Sequence, residues 1–343
     1  MPKTILSLRN TFLNWRLLLL SALLPGDFAF SRAAELLQPE KPLVIPDTHG
    51  RFDFLAIDLA GRRLLAAHTA NSSLDVIDLD RREVVKIVPT GTAQCPAVDA
   101  KAKRYYVGVS NPPQLAAVDS STLEVVWNVP LSGPADLIAV NPNTGYVYVG
   151  HDDAKELWVI DPAKKEIIAT LELPGEAPED LAFDAANRRL FQSIKTTATV
   201  AVIDVSTHKV IANWPTAPAQ SPHGMAIVEE AGALLTAGAN GKLTMMSQED
   251  GHVIATAEIP ERVDQIAYDA ALRRVYCASA TGKIAIVGVE KDKLINLGSV
   301  DSSEGAKSIA VDPKTHTVWI AYAKGETSVV QAFTLPGRIV EGK

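Results

Sequence analysis

Seven segments of this chain superpose on one another, and their spacing narrows the fold more than any other feature. They span residues 54–67, 95–109, 137–150, 180–193, 224–238, 265–278 and 308–321, as in FLAIDLAGRRLLAA, LIAVNPNTGYVYVG and QIAYDAALRRVYCA. One position in each, held by Asp58, Asp99, Asn141, Asp184, Val228, Asp269 and Asp312, recurs at intervals of 41, 42, 43, 44, 41 and 43 residues. A repeat of roughly 40–45 residues made of four short strands is a propeller blade. Each unit opens on a small apolar strand, turns at the Asp or Asn, whose side chain can hydrogen-bond the local backbone, and returns on a strand rich in Leu, Val and Tyr. A third strand follows, as at 74–78, 157–161 and 200–204. The expected fold is all-β, a seven-bladed β-propeller of four-stranded blades.

A second periodicity lies in the prolines. Pro89, Pro130, Pro174, Pro215 and Pro260 stand where fourth strands should end, and a residue without an N–H suits the outermost strand of a sheet. Pro46 precedes Pro89 by 43 residues, so residues 42–46 (PLVIP) read as a fourth strand lying ahead of the first complete blade. The last blade has three clear strands. The N-terminal strand is therefore expected to complete it and close the ring, hiding edges that would otherwise pair with other chains.

Residues 1–33 read differently. Lys3, Arg9 and Arg16 lead into the apolar run 17–24, and Ser31 and Ala33 give a small-x-small cleavage site. That is the pattern of a secretory signal, the alternative being a retained membrane anchor. The run is shorter than the roughly 20 residues that span a bilayer. The expectation is a periplasmic or secreted protein, with residues 34–343 forming one propeller domain and no membrane insertion after the signal is removed. Cleavage would remove four cations and one anion and take the formal charge from -7 to -10. Nucleic-acid binding rests on Lys and Arg neutralising phosphates, so an acidic chain with no basic run is a poor candidate for it. An oxidising compartment would allow a bridge between Cys95 and Cys277, but their places in blades two and six, across the ring, argue against it, and both are expected as buried thiols.

Several repeat residues resemble the YVTN-repeat propellers, exported bacterial proteins grouped with quinoprotein amine dehydrogenase propellers. The likeness is carried by Tyr146–Gly150 (YVYVG), Tyr105–Val109 (YYVGV), the segment 222–238 and the third strand 200–204. It extends over nearly all of residues 34–343 and implies the fold. It implies no particular reaction, since propellers carry many unrelated activities.

The repeat register also points to a site. The residue five before each anchor should stand at the mouth of the central channel: Asp53, Gln94, Asp136, Glu179, His223, Asp264 and Lys307. His49, His68, His151 and His223 are assigned to the same face, whereas His208, His252 and His316 fall in turns of the opposite face and are expected as solvated surface. Crowded carboxylates raise one another's pKa or recruit a cation. Carboxylates alone would suit Ca²⁺, and adding an imidazole would suit Zn²⁺. The metal candidates are His49, His68, His151, His223, Asp136 and Glu179, and the alternative is a hydrated rim with no specific ligand. Lys307 interrupts the acidic ring, either receiving an anionic group or pairing with Glu304 or Asp264.

No HExxH, CxxC, EF-hand, GxSxG or CxxCH pattern is present. Trp127, Trp158, Trp214 and Trp319 lie in strands two to four and are expected to pack. Three functions remain open. The first is a scaffold that binds a small ligand or a periplasmic protein through the channel-mouth face. The second is a metal-assisted, lactonase-like hydrolase, and the third an accessory protein of a periplasmic redox system. No cofactor is indicated beyond a divalent metal, and a monomer is expected.

Overall fold

Residues 36–184, 186 and 188–337 are described by a computed structural model, and the signal segment expected at 1–33 lies outside them. The described chain forms seven antiparallel sheets in sequence order. Blade three shows the plan, running Ala135–Val140, Val147–His151, Glu156–Asp161 and Glu166–Glu172. The first strand of every blade packs against the first strands of its two neighbours, blade seven meeting blade one, so these strands line a closed central channel.

Closure follows the expectation. Blade seven supplies Ser308–Asp312, Thr317–Lys324 and Thr327–Thr334, and Leu43–Ile45 pairs antiparallel with the last of these, Leu43 opposite Val330. A second N-terminal piece, Gln38–Pro39, pairs with Thr334 and Phe333. A strand from the start of the chain therefore shields the edge left by its end.

Convergence at the axis explains the small first strands. Ala56, Ala97, Ala139, Ala182, Ala226, Ala267 and Ala310 all stand two residues before their anchors and pack into the apolar clusters between blades. Sheets are closest near the axis of the ring, and a branched side chain there would force them apart.

The anchors do more than turn the chain. Asp58 Oδ1 accepts the Gly61 N–H within its own turn while Oδ2 accepts the Tyr105 hydroxyl of blade two at 2.6 Å. Asp269 Oδ1 accepts the N–H groups of Ala271 and Leu272, and its Oδ2 meets His316 Nδ1 of blade seven at 2.5 Å. Asp312 likewise caps its turn through Lys314 N–H and binds Arg62 of blade one. One carboxylate thus joins a turn to the next blade.

That arrangement corrects the reading of the opposite-face histidines. His316 is buried in its inter-blade pair, and His208 is half-buried against the Tyr148 hydroxyl; His252 is exposed as expected. The prolines also need revision. Pro89, Pro130 and Pro215 end fourth strands, but Pro174 and Pro260 lie beyond strands that stop at Glu172 and Glu258. In between, Leu173 and Ile259 donate their N–H groups to Lys155 and Gly241, leaving proline the next position, where no donor is used.

Fourth strands carry bulges as well. Val85, Val126 and Ile211 are the unpaired extra residues of theirs and are exposed. A bulge twists an edge strand away from pairing with another chain. Cys95 and Cys277 are free and buried, and Trp158 and Trp319 are among the largest buried side chains. No described helix is long and apolar enough to cross a membrane.

Candidate functional site

The ring residues stand apart because the first strands are irregular where they enter the channel. In blades three to six, two residues on strand one face a single residue on strand two: Asp136 with Leu137, Glu179 with Asp180, His223 with Gly224, and Asp264 with Gln265. In blade two, Gln94 is the extra residue. A bulge re-aims the side chain it carries, and in blades four to six it brings Glu179, His223 and Asp264 close to one another. Gly224 makes room for this, since a Cβ there would lie 2.7 Å from the Asp264 carbonyl oxygen and 2.8 Å from Ile266 N.

The side chains form an arc of alternating charge across blades four, five, six, seven and one. Lys195 Nζ is 3.1 Å from Glu179 Oε1, His223 Nε2 is 3.5 Å from that same oxygen and 3.9 Å from Asp264 Oδ1. Lys307 Nζ then bridges Asp264 Oδ2 at 2.5 Å and Asp53 Oδ1 at 2.8 Å. Lys307 is therefore an ion-pair partner of Asp264, one of its two expected roles, with Asp53 as a second partner and no pairing to Glu304. Burial pulls its ammonium down, but the two carboxylates outweigh that and hold its pKa above the usual lysine value.

Blades two and three differ. Gln94 bonds Ser110 and Thr69, away from the arc. Asp136 is 9% exposed and has no side-chain hydrogen bond or ion pair among the described residues. Burial, then the charges of Glu179 and Asp53, push its carboxyl well above the ordinary aspartate value. Asp53 is raised by burial against the pull of Lys307, and Glu179 by burial against His223 and Lys195. Behind them, Asp180 accepts the N–H groups of Met225 and Leu181, yet burial carries its carboxyl to about 7. Five carboxyl groups, Asp53, Asp136, Glu179, Asp180 and Asp264, thus face two contacting ammonium groups, Lys195 and Lys307, with Arg51 a more distant cation.

The metal candidates divide. Glu179, His223 and Asp264 place one donor atom each within 4.8 Å of one another, and Asp264 was not among the metal candidates. His68 does not join them. It is fully buried, its Nδ1 on Asp75 at 2.7 Å, its Nε2 on Ser328 at 2.9 Å and its ring stacked on Phe52, so both nitrogens bind protein at the seam between blades one and seven. His151 lies against Trp158 and Gly133 and pairs with Asp153, and His49 sits exposed in the loop before blade one.

Two residues one step further along the strand escaped the ring reading. Gln265 Oε1 accepts the N–H groups of Leu55 and Ile309 while its Nε2 donates to the Leu55 carbonyl, so one amide joins blades six, seven and one. Phe54, buried, joins Cys95 and Leu137 of blades two and three in one apolar cluster. Their signal was a position four before the anchor occupied by Phe54, Cys95, Leu137, Asp180, Gly224, Gln265 and Ser308, whose variety conceals a shared location.

No family model matches the chain, and no curated protein does. The YVTN likeness therefore rests on the repeat residues alone. Solved propellers are similar in shape. Hydrazine synthase of Kuenenia stuttgartiensis aligns with a TM-score of 0.70 at 15% identity, covering 83% of this chain and 96% of that one. U3-55K aligns with a TM-score of 0.75 at 12% identity, and the WD40 repeats of RRP9 with 0.75 at 11%, each covering 87% of this chain and 100% of the other. At such identities the likeness establishes the fold alone.

Proposed function

We propose that this propeller is an exported binding protein whose channel mouth receives a cationic group from a small ligand or a protein partner. The observation that carries this reading is Asp136, a buried carboxyl without a partner among the described residues, in a ring that already has more carboxyl groups than cations. A cation entering the mouth stabilises the ionised form of that carboxyl, and the preformed bulges fix where it sits. The WD40-type neighbours support a scaffold role at the level of fold. Export is supported by the n-region, apolar run and small residues of 1–33, and by the resemblance to YVTN-repeat proteins.

Spermidine serves as the probe, followed by titration calorimetry on the mature chain. Binding is expected at low salt and to weaken as salt rises. A unit charge about 4 Å away is worth about 1 kcal/mol in a water-like medium, so Asp136→Asn should weaken binding at least about fivefold. Equal affinity in parent and variant would overturn the reading. Export is checked separately, by finding the secreted or periplasmic form with its N-terminus just after Ala33.

A further inference from the structure

We infer that Glu179, His223 and Asp264 form a binding site for one divalent transition-metal ion, of the Zn²⁺ class rather than Ca²⁺. The inference rests on the reading of the mouth as a cation-binding site and specifies what one part of it holds.

Geometry is the first support. Two ligand atoms each about 2.1 Å from a tetrahedral Zn²⁺ lie about 3.4 Å apart. His223 Nε2 is 3.5 Å from Glu179 Oε1 and 3.9 Å from Asp264 Oδ1. All three donors fall within 4.8 Å of one another, so the His223–Glu179 edge already fits, and the other two edges need contractions of about 0.5 Å and at most about 1.4 Å, within the reach of side-chain rotation. The three residues sit at equivalent bulges on the adjacent first strands Pro178–Asp184, Pro222–Val228 and Val263–Asp269, which are rigid elements rather than loops.

The imidazole is already set for coordination. His223 Nδ1 lies 2.7 Å from the Ser221 carbonyl oxygen, which only accepts, so Nδ1 carries the proton. In the neutral ring Nε2 then presents its lone pair between the two carboxylates. A second nitrogen held by a backbone carbonyl is the usual support of a metal-binding histidine.

The surroundings distinguish this cluster from an ordinary ion-pair network. Lys307 occupies Asp264 Oδ2 and leaves Oδ1 toward His223, so it orients the ligand instead of blocking it. Lys195 shares Glu179 Oε1, but its side chain is 42% exposed and free to swing into solvent. Independently of the triad, Asp136 stands next in the ring, nine-tenths buried and without a hydrogen-bond or ion-pair partner among the described residues, a carboxyl that no other side chain satisfies. One imidazole with two carboxylates matches the donor preference of Zn²⁺. Ca²⁺ takes six to eight oxygen ligands, whereas the two carboxylates of the triad offer four at most.

The test uses the mature chain, freed of metal by chelator and titrated with Zn²⁺ against a chromophoric competitor, with Ca²⁺ titrated in parallel. One Zn²⁺ per chain is expected, held at least about tenfold more weakly in His223→Gln and in Glu179→Gln. His49→Gln and His151→Gln should leave the affinity unchanged, and melting curves show that the variants are folded. Anomalous diffraction at the zinc edge should place the ion between blades four, five and six. Absence of Zn²⁺ binding, tighter Ca²⁺ binding, or loss of Zn²⁺ in His49→Gln or His151→Gln but not in His223→Gln would overturn the site. If spermidine still binds when Zn²⁺ does not, the metal site alone falls; if neither binds, the reading of the mouth falls with it.

Discussion

Replacing Gln265 by Leu tests how the ring is held at its axis. The native amide satisfies the Leu55 and Ile309 N–H groups and the Leu55 carbonyl, at 3.1, 2.9 and 2.9 Å. The first strand of blade one is short, Leu55–Asp58, and this side chain takes up backbone groups on its channel side. Leucine fills similar space but leaves three buried polar groups without a partner, each costing about 1–3 kcal/mol. Water entering from the channel mouth recovers part of that, so the expected loss is about 3–5 kcal/mol, a large share of a typical total stability of about 5–15 kcal/mol. Urea unfolding followed by tryptophan fluorescence should show a lower midpoint with an unchanged slope, the sign of lost stability rather than an altered unfolded state. Gln265→Glu should fall between, because it keeps an acceptor for both N–H groups and loses the donor to Leu55. A loss below about 1 kcal/mol for Gln265→Leu would refute the reasoning and assign ring closure to the outer N-terminal strands alone.

Other perturbations follow from the same geometry. Gly224→Ala drives a Cβ to within 2.7 Å of the Asp264 carbonyl oxygen and should cost about 1–3 kcal/mol in urea unfolding, as overpacking does. Asp136→Asn removes a buried titratable carboxyl that has no partner among the described residues, and should raise the melting temperature of metal-free protein near neutral pH. Its folded pKa lies above the unfolded value, so the parent should gain stability as pH falls from neutral, and the variant should gain less. Asp312 has the opposite sign. Burial raises its pKa, but hydrogen bonds from Arg62, Thr315 and Lys314 outweigh it and hold it low, so its contribution is present above the ordinary aspartate range and lost in more acid solution. Arg62→Leu should therefore destabilise at pH 7 by about 1–3 kcal/mol, with the difference from the parent shrinking below about pH 4; a pH-independent difference would contradict this.

The repeat and its anchors made the fold legible. Seven positions spaced 41 to 44 residues apart, with alanine two residues before each, can only be met by units that converge alike on one axis. The closing strand was legible too, because Pro46 keeps the proline spacing. The histidines were not. Chain position put His68 at the mouth and His316 in solvent, but His68 is bonded to Asp75 and Ser328, and His316 to Asp269 of the neighbouring blade. Ser328 and Asp269 lie on neighbouring blades, whose approach depends on how the blades pack, while Asp75 comes from the paired third strand of the same blade. A charged residue inside an apolar third strand, Asp75, was the one local hint that His68 had a buried partner.

By itself the sequence determined the blade count and the closing strand, and it singled out one register position per blade ahead of each anchor, because periodicity specifies position along a strand and strand order follows from it. Only the tertiary structure decided which of those residues meet. Bulges bring Glu179, His223 and Asp264 together from three different blades, and Lys307 takes the far side of Asp264 while Asp136 has no partner among the described residues. A bulge is one unpaired residue relative to a partner strand. It exists only in the pairing, and no spacing along a single chain records it.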